Sequence, residues 1–251
     1  MSLAARYGGL EPFQNAVAGT GKFTDDCFIK AGEKIQEWVK NGYFPDGVNS
    51  LSEDDGQAKQ LLYQETAGML LCGSWYTGTF QTDSEEFYQK IGWFPFPAID
   101  DSDADPTIQI GTVGDQFICF NCEGDKLAAA FECAADHLSD EVEDMIYSTG
   151  KIAPVKDAGD HISDPVVKEI FDAAQEASSI QLWYDQYLPT SVASAHLDGL
   201  QEVFGLTKTP QEAQEEMQTA MDEYLSTKSD SGAADDTAEE ATDDAAADDA
   251  E

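Results

Sequence analysis

The chain has 251 residues, 41% of them hydrophobic and 10% aromatic, enough for a sizeable core in one or two domains. Thirteen basic side chains stand against 50 acidic ones, and the formal charge of −37 repels a phosphate backbone and an anionic membrane surface, so nucleic acid is excluded as an expected partner. No apolar run approaches the roughly 20 residues that span a bilayer, and five cysteines, an odd number, do not make a complete disulfide framework. The acidity is spread along the chain. Residues 229–251 carry ten acidic side chains and no basic one, which leaves 40 acidic against 13 basic over residues 1–228, a body near −27 whose excess charge reads as solvation.

The opening residues, Met1 to Tyr7, show no h-region of a signal peptide. The first strong helix is predicted from Thr24 to Asn41, with Phe28, Ala31, Ile35, Trp38 and Val39 on one face, Thr24 or Asp25 as its cap and Gly42 past its end. Residues 45–56 read as a loop, followed by a short helix around Gly56 to Tyr63. The continuous apolar run from Ala67 to Gly73 predicts a strand covered on both faces, Ile91 to Phe94 predicts a second, closed by Pro95 and Pro97, and Gln116 to Asn121 predicts a third.

From Asp125 onward the pattern is helical. Leu127, Phe131, Ala134 and Leu138 mark one apolar face, and Val142, Met145 and Ile146 mark the next helix, which stops at Gly150. Asp164-Pro165 opens another, and Val192, His196, Leu200 and Val203 lie on one face of the one after it. Thr209-Pro210-Gln211-Glu212 combines a capping box with proline at the first helical position. Residues 229–251 contain no large apolar side chain, which predicts a disordered acidic tail.

Read in order, Gly21 to Asp25, Ala67-Gly68-Met69 through Gly73-Ser74-Trp75, Ile91-Gly92-Trp93-Phe94-Pro95-Phe96-Pro97, Ser148 to Pro154, and Trp183-Tyr184-Asp185-Gln186 with Leu188-Pro189 resemble family 1 extracellular solute-binding proteins, which include maltose-binding protein. The resemblance runs over residues 7–226. One departure is Glu65-Thr66, which stands where many relatives have Gly-Lys. The resemblance implies an α/β fold of the type II periplasmic-binding-protein kind, and the matched parts belong to the second half of such a chain. Residues 1–228 are thus expected to be mostly the C-terminal lobe, with about 110–155 belonging to the first lobe and a strand edge exposed near Phe117 to Phe120. A signal peptide, a lipid-anchor cysteine and most of the first lobe have no counterpart, so a fragment is expected. The implied function is to bind an oligosaccharide outside the cell, as a monomer, and to deliver it to the membrane subunits of an ABC importer, in a family whose full-length members are anchored as lipoproteins; no cofactor and no catalysis are implied.

Sugars present apolar C–H faces ringed by hydroxyls, so a site needs aromatic platforms and in-plane polar groups. Trp75 follows the first predicted strand, at a strand end where α/β folds place ligands. Trp183, Tyr184 and Asp185 lie between two predicted helices, where the resemblance puts the cleft and where Asp185 would accept sugar hydroxyls. Tyr76 and Trp93 are further candidates, each equally readable as core. Asp115, in the Gly111 to Asp115 turn, completes the set. Other constellations carry less. Cys119 and Cys122 form a CxxC without the second pair a zinc site needs. His137, His161 and His196 are far apart, and Asp100, Asp101, Asp103 and Asp105 lack the glycine and terminal glutamate of an EF-hand, so no metal is expected. A GxSxG, a P-loop and a GxGxxG are all missing. The competing expectations are a glycoside-processing enzyme that reuses aromatic platforms and an acidic surface protein with no ligand.

Overall fold

The computed structural model describes residues 1–53, 55–111, 122–149, 151–153, 155 and 157–230. The chain opens with helices α1 (Ser2–Gly8), α2 (Glu11–Ala18) and α3 (Asp26–Lys40), and continues through α4 (Gln57–Tyr63), α5 (Tyr76–Asp83) and α6 (Glu85–Tyr88) to the short strand β1 (Gln109–Ile110). It then runs through α7 (Asp125–Asp136), α8 (Asp140–Ser148), α9 (Ala158–His161) and α10 (Pro165–Glu176) to β2 (Ile180–Gln181), and ends in α11 (Tyr184–Tyr187), α12 (Thr190–Phe204) and α13 (Pro210–Asp230). The last helix reaches the first residues of the expected disordered tail; residues 231–251 lie outside the described residues, as do Gln116 to Asn121 with the strand and the exposed edge predicted there.

The main core joins the two ends of the chain. Phe13 of α2, Phe23, Phe28 of α3, Val192 of α12, and Met217 and Met221 of α13 are buried together. Fully burying side chains of this size is worth about 1.5–3 kcal/mol each, so this contact stabilises the fold far more than any surface ion pair. Helix α3 forms where the apolar spacing predicted it, and α13 starts with the predicted reciprocal box: Thr209 N–H donates to Glu212 Oε2 at 2.9 Å, and Glu212 N–H donates to Thr209 Oγ1 at 3.2 Å. The two helices meet at Gly32, where a Cβ would stand 2.6 Å from that of Pro210.

A second, smaller cluster is built from Tyr76 and Phe80 of α5 and Tyr88 of α6, with Leu70 packed against it. Asp164 fastens it to α10. Its Oδ1 caps that helix by accepting from Val166 and Val167 N–H and also accepts from Tyr88 Oη at 2.7 Å, while its Oδ2 accepts from Gln81 Nε2 at 2.8 Å. Helix α4 ends at Tyr63 with Gln64 as its cap; Thr66 N–H donates back to Leu61 carbonyl oxygen and Glu65 takes φ 55°. This is the left-handed end position that glycine usually fills, and Glu65 adopts it.

Residues 67–73 and 91–94 do not form the predicted strands. Neither segment makes an inter-strand backbone hydrogen bond among the described residues, and Met69 and Leu71 are 74% and 76% exposed while Leu70 packs inward. An apolar run alone does not make a strand; it needs a ladder partner. The described ladder lies elsewhere. β1 and β2 pair in parallel, Gln109 opposite Ile180 and Ile110 opposite Gln181, with Gly111 N–H donating to Gln181 carbonyl oxygen at 2.9 Å. Neither strand was legible from periodicity. The apolar face predicted on α7 does not reach a core either: that helix has no buried residue, and Phe131 is 56% exposed.

Arg6 on α1 is buried and has no carboxylate in hydrogen-bond range among the described residues. Its guanidinium donates to the carbonyls of Phe96 at 2.8 Å, Pro97 at 3.1 Å and Ile108 at 2.9 Å, and lies over the Phe96 ring. Replacing it strands three carbonyls, and charged hydrogen bonds are worth about 1.5–3 kcal/mol each. Arg6→Met is expected to lower unfolding stability by about 3 kcal/mol in a urea titration; a loss below about 0.5 kcal/mol would show that the carbonyls find other donors.

His196 of α12 is also buried, beside the Tyr184 ring at 5.5 Å, and neither ring nitrogen has a hydrogen-bond partner among the described residues. Burial first, and the nearby N-terminal ammonium second, push it from the ordinary histidine value of 6.5 down to about 3. Between those values the unfolded chain binds a proton that the folded chain does not. Stability contributed at this site is therefore complete above about pH 6.5 and falls as the pH drops toward about 3. Comparing wild type with His196→Leu isolates that part: the wild type is expected to lose more stability than the variant across this interval, and parallel curves would rule it out.

Candidate functional site

Trp75 and Trp183, 108 positions apart in the chain, meet with ring centroids 6.1 Å apart at an interplanar angle of 70°. Each sits where a non-helical segment enters a helix: Trp75 immediately before α5, Trp183 immediately before α11 with its carbonyl accepting from Tyr187 N–H at 2.9 Å. Trp75 is held back against the chain. A Cβ at Gly73 would lie 1.9 Å from Cζ3 of the indole, so only glycine leaves room for the ring there. Half of Trp75 remains exposed, and Trp183 is half-buried.

The other candidates divide. The rings of Tyr76 and Tyr184 are both buried. Tyr76 packs on Phe80, and Tyr184 stacks face to face on Phe13 at 4.0 Å. Apolar helix packing claims the residue that follows each tryptophan. Asp185 is exposed on α11, and Trp93 is half-buried on the extended segment 91–94. Asp115 lies outside the described residues; Gly111, which begins its turn, is hydrogen-bonded beside β2, two residues before Trp183.

Trp75 also borders an open depression of about 390 Å³, which sequence reasoning did not foresee, lined along α5 and by Thr149 and Lys151. At its rim Asp83 accepts from Lys59 Nζ at 2.6 Å and from Tyr63 Oη at 2.9 Å, which holds its carboxylate below the ordinary range and ionised. Burial and the same carboxylate push the Tyr63 phenol up. Among the described residues no group of three His, Cys, Asp or Glu side chains could hold a metal ion. Cys27 is buried, Cys72 and Cys133 are exposed, and all are free thiols, as is Cys122; Cys119, the other half of the CxxC, lies outside the described residues.

The sequence model of the bacterial extracellular solute-binding protein family matches residues 4–132, just over half of the chain. The chain belongs to that family. Two solved structures are similar to this solute-binding chain. One, from work on xylan utilization by the thermophilic bacterium Caldanaerobius polysaccharolyticus, is 28% identical with a TM-score of 0.73 over 86% of this chain and 56% of its own. The other, a chitin oligosaccharide binding protein, is 21% identical with a TM-score of 0.76 over 88% of this chain and 55% of its own. The chain thus spans a little over half the length of these structures. No curated protein matches the sequence. The fold is the periplasmic-binding-protein-like α/β fold of this family, in a helix-rich form.

Proposed function

We propose that this solute-binding chain is the carbohydrate-binding part of an ABC importer system outside the cell, and that an oligosaccharide stacks in the corner formed by Trp75 and Trp183. The observation that carries the reading is the convergence of these two indoles, both part-exposed, at the entries of separate helices. Solvent-facing tryptophan is costly unless it packs or binds, and an aromatic corner suits the apolar face of a pyranose. Two of the similar structures concern carbohydrates, xylan utilization in one and chitin oligosaccharide binding in the other. Asp185 would accept sugar hydroxyls beside Trp183, with Trp93 and Asp115 as flanking contacts.

The protein binds and does not turn over its ligand. It acts as a monomer that docks on the importer's membrane subunits and is held at the membrane as a lipoprotein. Residues from about 110 to 155 belong to the first lobe, a reading supported by the bare apolar face of α7. Closure of two lobes on the sugar would then set affinity, so this half of the site alone binds weakly.

Titrating tryptophan fluorescence and melting temperature with glucose-, xylose- and galactose-based oligosaccharides tests the proposal. One series is expected to give a saturable shift with the sugar recovered intact, and a rise in stability of about 2.7 kcal/mol at a hundredfold excess over Kd. Trp183→Ala is expected to abolish the shift. Silence across the panel up to millimolar sugar, or shortened oligosaccharide products, would overturn it.

A further inference from the structure

The depression beside α5 is not used by the tryptophan corner, yet the two share a side chain: Trp75 meets Trp183 and also borders the depression. Its volume of about 390 Å³ lies within the ordinary range of small-molecule sites, about 300–1,000 Å³. The polar lining has a definite sense. Thr79 Oγ1 donates to Trp75 carbonyl oxygen at 3.4 Å, Thr82 Oγ1 to Gly78 carbonyl oxygen at 2.8 Å, and Thr149 Oγ1 to Ile146 carbonyl oxygen at 2.7 Å. Each hydroxyl proton is thereby committed to its own helix, and the oxygen lone pairs are left to accept.

Gln81 Nε2 donates one hydrogen to Asp164, which leaves Oε1 to accept and the second amide hydrogen to donate. Asp83 accepts only. Among the described lining residues, the Lys151 ammonium and the Trp75 indole N–H are the groups that can only donate. A ligand here must therefore offer several donors and at least one acceptor around an apolar body. A carboxylate cannot donate, a phosphate donates at most weakly, and either would face the ionised Asp83; a neutral sugar, whose hydroxyls both donate and accept, meets every condition.

We propose that this depression is a second sugar subsite, continuous with the tryptophan corner through Trp75, so that the protein prefers extended neutral oligosaccharides over short ones. This rests on the sugar-binding reading of the Trp75–Trp183 pair and extends it to the length and charge of the ligand. Trp75 serves both subsites, whereas Thr82 and Lys151 serve only the outer one. Both are exposed, so replacing them leaves the two cores intact.

The experiment is a fluorescence titration of wild type, Thr82→Val and Lys151→Ala with xylo- and chito-oligosaccharides from disaccharide to hexasaccharide. In the series that binds, wild-type affinity is expected to rise with chain length. Each variant is expected to lose about tenfold in affinity for the long members, the scale of one or two hydrogen bonds, while the disaccharide changes by less than about twofold. If sugars bind but wild-type affinity is independent of length, or the variants lose affinity equally at every length or not at all, the second subsite is wrong and the tryptophan corner stands. If no sugar of either series binds, both fall together.

Discussion

The guanidinium of Arg6 supplies hydrogen bonds to three carbonyls that no strand partner among the described residues reaches: those of Phe96 and Pro97 in the extended segment and that of Ile108 at the entry to β1. The geometry of the site follows from this contact step by step. Fixing Ile108 fixes Gln109 and Ile110, which pair in register with Ile180 and Gln181. Two residues later stands Trp183, and its distance from Trp75 is set by that register. A buried cation is tolerable only when it is well hydrogen-bonded, and here the carbonyl oxygens of Phe96, Pro97 and Ile108 engage all three guanidinium nitrogens.

A second constraint acts from the other side of the pair. Trp75 is positioned by what surrounds it in sequence: Gly73 removes a Cβ that would collide with the indole, and Tyr76 anchors the start of α5 in the smaller cluster. Asp164 then locks that cluster to α10 through Tyr88 and Gln81. Each tryptophan is thus followed by a buried tyrosine, Tyr76 or Tyr184, that holds the helix while the indole faces outward. The pairing of an anchored ring with an exposed one rigidifies the corner, which is what a stacking site requires.

Much of the helical part was legible in the sequence because its signals are local. The spacing of Phe28, Ala31 and Ile35 and the box at Thr209 and Glu212 each fix an element within a few residues. The strands were not legible, because apolar runs such as 67–73 report burial preference and not a hydrogen-bond partner, and the two-residue strands of the observed ladder are too short to show alternation. Trp75 and Trp183 were identifiable as candidates, but their meeting was not, since it depends on contacts between distant segments. The burial of Tyr76 and Tyr184 was not legible for a related reason: an aromatic beside a loop tryptophan looks open to solvent until its helix is packed. The role of Arg6 left one trace, that it is the sole arginine among 13 basic residues.

The central claim is that Trp75 and Trp183 act as one site. Four tryptophans give four indole N–H signals in a nitrogen-15 spectrum, from Trp38, Trp75, Trp93 and Trp183, and single substitutions assign them. Adding a binding oligosaccharide stepwise should move the Trp75 and Trp183 signals along one common saturation curve while Trp38, packed against the main core, stays in place. Movement of Trp75 and Trp183 on different curves, or of neither while another signal moves, would contradict the account.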